Sequence, residues 1–252
     1  MVTTAIISLR ETFETALILC VLLSYFTRYK QYRAIMWMWM GTGFGIFWSV
    51  GFAFVLIRLH AMIPSAFEEI YEGTMMIAAA LLLSWMIVWM TVKGRDMKAS
   101  LERSVAEHVT SGYLFGILIT SFLATAREGT ELVILTHAAL LQSGEYTLGI
   151  IGSGIGIAFA IGLGWILFQG SRKLPLNLFF VLTSAMLIVI AVALMQHGIH
   201  ELAEAHVVPE HWMMERGVIA LFGIALVGVW LTLFRSTSST QRQRAEAVLH
   251  RE

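Results

Sequence analysis

Residues 8–19 read SLRETFETALIL and place Arg10, Glu11 and Glu14 inside an apolar run that extends from about residue 3 to 26. A helix needs about 20 residues to span a bilayer, and a charged side chain at its centre costs roughly 2.5–3.5 kcal/mol. Such a helix is tolerated in a membrane when its charged side chains face the interior of a helix bundle and find partners there. The stretch therefore predicts a membrane protein with a polar, functional interior.

The composition of the whole chain agrees with this prediction. Of the 252 residues, 58% are apolar and only 13% are charged, whereas soluble domains carry about 25% charged residues. The net charge of zero makes nucleic acid an unexpected partner. The single cysteine, Cys20, excludes an internal disulfide and a cysteine-based metal or redox motif. Seven apolar runs are long enough to span a bilayer: roughly 3–26, 34–57, 70–92, 112–136, 147–168, 176–199 and 217–234.

The basic residues predict how these spans are oriented. Of the 17 Lys and Arg residues, thirteen lie in the connections after the first, third and fifth runs or in the C-terminal tail, and only Arg58 and Arg216 lie in the other connections. Because basic residues are retained on the cytoplasmic side, we expect the N-terminus outside and the C-terminus in the cytoplasm. The chain then comprises a transmembrane domain, 1–235, in the plasma or inner membrane and a polar cytoplasmic tail, 236–252.

A second cluster repeats the first. Residues 124–135 read ATAREGTELVIL, so Arg127, Glu128 and Glu131 repeat the Arg-Glu-x-x-Glu pattern 117 positions after Arg10. Three spans separate the two copies, and an odd number of spans reverses the direction of the second. The spacing therefore predicts two facing clusters at matched depth within an inverted repeat, which is typical of transporters. The predicted fold is all-α, with seven transmembrane helices in a 3+3 inverted repeat plus one extra helix: about 1–92, 112–200 and 217–234.

The two clusters do not balance in charge. Two arginines can neutralise two glutamates, which leaves two negative charges to be met by protons or by a bound cation. We therefore predict a metal site supported by the two arginines. Its candidate ligands are Glu11, Glu14, Glu128 and Glu131, and the supporting residues are Arg10 and Arg127. The alternative is a pair of salt bridges that only lock the two helices together, although buried ion pairs are poor stabilisers.

Acidic and histidine side chains mark the predicted outer face. Glu72 begins the third span, while His200, Glu201 and Glu204 follow the sixth, with His200 and Glu204 one helical turn apart. Such a face concentrates cations, so these four residues are candidates for the entrance. The alternative is that outer loops merely lack basic residues and that the His–Glu pairs hydrogen-bond each other.

The combined motifs resemble the high-affinity iron permeases, the membrane subunits of oxidase-dependent and EfeU-type iron uptake. The resemblance covers nearly the whole chain and rests on the paired Arg-Glu-x-x-Glu clusters, the YEG at 71–73 and the SWM and WM pairs within 84–90. That family usually has Arg-Glu-Gly-Leu-Glu at both clusters. Here the second copy keeps Gly129, whereas the first has Thr12 and Phe13 instead.

The resemblance implies transport of iron into the cytoplasm, with the four glutamates handling the ion. Carboxylates are hard ligands, which favours ferric iron. Iron is then a transported substrate, with no permanently bound cofactor and no enzymatic activity. Membrane lipid is an expected partner, and an extracytoplasmic oxidase, peroxidase or iron-binding accessory protein is another. The alternatives are a permease for a heavy divalent metal such as lead or manganese and, less favoured, a membrane-embedded di-metal oxidoreductase, which commonly adds Glu-x-x-His.

Overall fold

In the computed structural model, helices account for nearly all of the residues described, which are 1–93, 114–169, 176–207 and 217–232. Seven α-helices and one short 3-10 helix are present in these ranges. The basic residues expected in the tail 236–252 and at 94–113 and 170–175 lie outside the described residues. The elements are α1 Val2–Arg28, α2 Tyr32–Met62, the 3-10 helix Ser65–Phe67, α3 Glu68–Lys93, α4 Leu114–Ser143, α5 Tyr146–Phe168, α6 Leu176–Glu204 and α7 Gly217–Thr232.

The helices end where the sequence can no longer continue them. All three prolines lie between predicted spans, as expected for a residue that lacks a backbone N–H donor. Ile63, directly before Pro64, has an extended backbone and ends α2 at Met62. Helix α4 continues to Ser143, seven residues beyond the predicted end at 136, because the apolar residues after Thr136 pack into the bundle.

Four segments are long and apolar enough to cross a membrane by length and composition. The remaining two long helices, α1 and α4, have 27 and 30 residues and each carries one charged cluster. Large apolar side chains such as Phe47 and Phe54 of α2 are exposed, which suits a surface in contact with lipid. The four segments are Tyr32–Met62, Ser65–Trp89, Tyr146–Phe168 and Phe179–Glu204.

The helices pack mainly in three pairs: α2 along α4, α1 along α5 and α3 along α6. The first two pairs are held at backbone distance by glycines. A Cβ at Gly41 or Gly152 would collide with the carbonyl oxygen of Leu118 or Met1, respectively. Small residues at four-residue spacing permit this close approach between membrane helices.

Helices α1 and α4 run in opposite directions and cross near the middle of the bundle. Ile7, near the start of α1, shares a hydrophobic core with Leu135, near the end of α4. Leu22, near the end of α1, shares a second core with Ile117, near the start of α4. The charged clusters lie between these two cores.

Candidate metal site

The two Arg-Glu-x-x-Glu clusters meet where α1 and α4 cross. Glu11, Glu14 and Glu128 are buried, with exposed fractions of 1%, 5% and 6%, and Glu131 is partly buried. Carboxylate oxygens of Glu11, Glu128 and Glu131 all lie within 4.8 Å of one another. The structure thus brings together three of the four predicted ligands as one group that can hold a metal ion.

The fourth predicted ligand, Glu14, is tied to an arginine. Arg10 is fully buried; its Nη2 lies 2.9 Å from Oε1 of Glu14, and its Nη1 lies 3.2 Å from Oε1 of Glu11. Nη1 also donates to Sδ of Met86 on α3 at 2.7 Å. Arg10 therefore orients both carboxylates of its own helix while facing α3.

The second arginine has a different environment. The side chain of Arg127 is 49% exposed; its Nε donates to Oε1 of Glu131 at 3.0 Å and lies 3.9 Å from Glu128. Its guanidinium stacks over the ring of Trp89 on α3, 4.9 Å from the ring centroid. The sequence repeat thus places one guanidinium in the core and the other at the edge of the bundle.

The buried carboxylates retain unused acceptor atoms. Among the described residues, the Oε2 atoms of Glu11, Glu128 and Glu131 are buried without a hydrogen-bond partner. Buried polar atoms are rarely left unpaired in native proteins. Hard carboxylate oxygens that converge within one shell fit a hard cation.

The departure from Gly-Leu in the first cluster has a packing role. Phe13 is buried, and its ring centroid lies 4.3 Å from that of Phe179 on α6. In the second cluster, a Cβ at Gly129 would collide with Oγ of Ser49 on α2. Phe13 therefore fills the contact between α1 and α6, whereas Gly129 allows α2 to approach α4.

A second group of candidate ligands lies where α2 leads into α3. Glu72 is joined by His60 and Glu68, with ligand atoms all within 4.8 Å of one another. His60 and Glu68 were not among the entrance residues predicted from the sequence. Their signal was their position in the last turn of α2 and the first turn of α3, on either side of Pro64.

The other predicted entrance residues are arranged differently. His200 and Glu204 are both exposed, and Nε2 of His200 lies 3.1 Å from Oε1 of Glu204. Glu201 packs beside Gly73 at the start of α3. His137, on α4, is buried and lies 3.2 Å from the hydroxyl of Tyr71, so this histidine has a partner within the bundle.

Comparisons with known proteins agree with this architecture. The model of the family described as "Iron permease FTR1 family" matches residues 1–237. A protein named "Ferrous iron permease EfeU" from Escherichia coli O6:H1 is 33% identical over 205 residues, covering 79% of this chain and 73% of that protein. The protein of that name from Shigella sonnei is 32% identical over the same shares.

An uncharacterised protein from Archaeoglobus fulgidus is 31% identical over 200 residues, covering 79% of this chain and 69% of its own length. No solved structure matches the chain. The family match covers more than nine-tenths of the sequence and includes both charged clusters. This all-α, multi-pass membrane protein therefore belongs to the iron permease FTR1 family.

Proposed function

We propose that this protein is a permease that moves iron across the membrane into the cytoplasm through the site where α1 and α4 cross. The observation that carries the proposal is the convergence of oxygens from Glu11, Glu128 and Glu131 within 4.8 Å in a buried setting. Glu14 completes the charge of the site from its place beside Arg10. Membership of an iron permease family supports iron as the ion.

The charge of the site explains how it can both bind and release. Four carboxylates face two guanidiniums, so the empty site needs protons and the loaded site replaces them with a cation. Arg10 and Arg127 each contact both glutamates of their own helix. They keep the carboxylates oriented when no ion is present, because an unpaired buried charge is costly.

The oxidation state of the ion follows from the ligands. An all-carboxylate donor set is hard and favours ferric over ferrous iron, so we propose ferric iron as the substrate. The relatives are named ferrous iron permeases, which makes ferrous iron the principal alternative. Manganese and lead are the further candidates among divalent metals.

An inverted repeat accounts for the packing of the bundle. In an inverted repeat, α1 corresponds to α4, α2 to α5 and α3 to α6. Under this exchange the pair α2–α4 becomes α5–α1, and the pair α3–α6 is unchanged, so the three principal helix pairs are reproduced. The glycine contacts follow the same rule. Gly41 of α2 meets Leu118 of α4, Gly152 of α5 meets Met1 before α1, and Met1 precedes Leu118 by 117 positions, the offset of the two charged clusters. This agreement supports repeats at about 1–92 and 112–200, with α7 as the extra helix. The proposed N-terminus outside rests instead on the distribution of basic residues.

The group at the junction of α2 and α3 is placed to serve as the entrance. In the proposed orientation, His60, Glu68 and Glu72 lie on the outer side. His137, hydrogen-bonded to Tyr71 beside this group, is about 9 Å along α4 from Glu131 at 1.5 Å per residue. Ions gathered by the outer group thus have a short route to the inner carboxylates, whereas the exposed His200–Glu204 pair lies at the rim.

Uptake of radioactive iron into liposomes that contain the purified protein tests the proposal. Iron is supplied separately as ferric citrate and as ferrous iron kept reduced by ascorbate, in competition with manganese, zinc or lead. We expect Glu11→Gln and Glu128→Gln to abolish uptake while the proteins still fold. The control Glu145→Gln removes an exposed carboxylate at the start of α5 and should leave uptake unchanged. Normal uptake by both site variants would reject the site.

Two other functions predict different results in this experiment. A protein that uses the clusters only to lock α1 to α4 loses folding, rather than transport, when Glu11 or Glu128 is changed. A di-metal oxidoreductase shows redox turnover without net flux. Its usual Glu-x-x-His pattern is absent from both clusters, and the relatives are named permeases, so transport remains the function that we propose.

A further inference from the structure

Each charged cluster is preceded by two hydroxyl residues at the same spacing. Ser8 and Thr125 lie three positions before Glu11 and Glu128, respectively, and Thr4 and Ser121 lie seven positions before them. The repeated unit is therefore longer than Arg-Glu-x-x-Glu and reads Ser/Thr-x-x-x-Ser/Thr-x-Arg-Glu-x-x-Glu in both copies. Residues three and seven positions apart share one face of a helix, so these hydroxyls lie on the faces that carry the glutamates.

These hydroxyls are buried, and three of them are unpaired. Ser8 and Ser121 have exposed fractions of 0%, and Thr125 has 5%. Within the described parts of the chain, their side-chain oxygens have no hydrogen-bond partner. Buried hydroxyls are rarely left unpaired in native proteins, so these groups are positions where another ligand is expected.

Other hydroxyls of the same helices behave differently. Thr15 on α1 donates to the carbonyl oxygen of Glu11, and Thr130 on α4 donates to that of Ala126. This bond to the carbonyl four residues earlier is the usual solution for serine and threonine in a helix. The same bond is made by Thr42, Ser49, Thr74, Ser84, Thr120, Ser153 and Thr183. Three of the four buried hydroxyls that lack a hydrogen-bond partner in the described parts of the chain thus precede the charged clusters, and the fourth is Thr136, near the end of α4.

The opposite directions of α1 and α4 place the hydroxyls on the two sides of the carboxylates. Ser8 precedes Glu11 on a helix that descends from the proposed outer side. Thr125 and Ser121 precede Glu128 on a helix that rises from the cytoplasmic side. Thr125 turns its methyl group toward Gly45 of α2. The hydroxyl residues thus lie about one helical turn to the outer side of the glutamates and up to two turns to the cytoplasmic side.

We propose that Ser8 on the outer side, and Thr125 and Ser121 on the inner side, supply neutral oxygen ligands to the iron or its bound water as it enters and leaves the carboxylates. Conduction requires sites weak enough to release the ion, and a hydroxyl binds a cation less strongly than a carboxylate. This inference rests on the proposed function and adds binding residues to it.

The test compares variants that remove a hydroxyl with variants that keep it. Ser8→Ala and Thr125→Val delete the oxygen at nearly constant shape, whereas Ser8→Thr and Thr125→Ser retain it. The matched controls are Thr15→Val and Thr130→Val, whose hydroxyls are already bonded within the helix. Initial rates of radioactive iron uptake into liposomes are measured over a range of iron concentrations, in the oxidation state that the unaltered protein transports.

We expect a different signature from each side. Ser8→Ala should raise the iron concentration for half-maximal uptake about tenfold, as for the loss of one ligand worth a factor of ten in binding. Thr125→Val should lower the maximal rate, because release toward the cytoplasm slows. The variants that keep the hydroxyl, Ser8→Thr and Thr125→Ser, should take up iron at a rate within about twofold of that of the unaltered protein. The two controls should match the unaltered protein.

Two results would overturn the inference while leaving the proposed function intact. One is uptake by Ser8→Ala and Thr125→Val equal to that of the controls, with Glu128→Gln inactive. The other is equal loss in Thr125→Ser and Thr125→Val, which would indicate packing rather than a ligand. Absence of iron uptake by the unaltered protein would overturn the proposed function and this inference together.

Discussion

Nη1 of Arg10 lies 2.7 Å from Sδ of Met86, and three residues further along the same helix the ring of Trp89 lies under the guanidinium of Arg127. A single face of α3 therefore contacts both arginines of the site, one through a thioether and one through an aromatic ring. Helix α3 thus connects the two clusters in addition to their own crossing.

The two arginines should differ in their contribution to stability. Arg10→Gln leaves two buried carboxylates without their cation, and breaking a buried pair in this way costs about 3–5 kcal/mol in the free energy of unfolding. Arg127→Gln should cost less, because its side chain is half exposed. Thermal unfolding of the purified proteins in detergent measures both, and equal shifts in melting temperature would contradict the difference in burial.

Trp89 should matter through its ring rather than its bulk. Replacing Trp89 by Leu removes a cation–π contact worth about 0.5–2 kcal/mol and frees Arg127 to leave Glu131. We expect Trp89→Leu to lower iron uptake several-fold and Trp89→Phe to lower it less, since Phe keeps an aromatic face. Trp85, exposed on the same helix, provides the control: Trp85→Leu should leave uptake unchanged.

The outer group should govern capture of the ion rather than its passage. Glu72→Gln and His60→Gln each remove one candidate ligand from a set that lies above the inner carboxylates. We expect a higher iron concentration for half-maximal uptake and a nearly unchanged maximal rate. His200→Gln, at the exposed rim, should have a smaller effect than either of these two substitutions. A loss of maximal rate in Glu72→Gln would instead place this residue in the conduction step.

Two glycines that contact a neighbouring helix, Gly41 and Gly152, each have a matched control two residues further along the same helix. Gly41→Val and Gly152→Val introduce side chains against the backbone of the neighbouring helix, and overpacking of this kind costs about 1–3 kcal/mol. Gly43→Val and Gly154→Val add side chains where nothing lies within 4 Å. Folded yield and melting temperature should fall only for the first pair, and similar losses in both pairs would contradict the close packing.

The sequence predicted the helices and the meeting of the two charged clusters, because both depend on local patterns, whereas the metal-binding role of the glutamates stays a prediction. The apolar runs predicted the helices, and the cost of exposing Arg10 and Glu11 to lipid predicted that they face the bundle interior. The structure pairs Arg10 with Glu11 and Glu14 of its own helix. The end of α4 was placed too early, since His137 interrupts the apolar pattern but is satisfied by Tyr71. Hydropathy gives no information on such a partner from another helix.

The outer group was only partly predicted for a related reason. Glu72 was identified from its position at the start of a span, but its neighbours depend on how the chain turns between α2 and α3. The extended residue before Pro64 and the 3-10 helix that follows bring His60 back toward Glu68. Pairing across such a turn is set by backbone geometry, which spacing alone does not determine.

The close packing of α2 against α4 and of α5 against α1 limits how the bundle can change shape. Each of these pairs joins helices from opposite halves of the sequence, and their backbones touch at Gly41 and Gly152. For the alternating motion expected of a permease, these contacts favour the pairs α1 with α5 and α2 with α4 as the rigid units, rather than the first and second halves of the chain. The carboxylates sit on the seam between these units, so a rocking motion there would alternately uncover the ion to either side of the membrane.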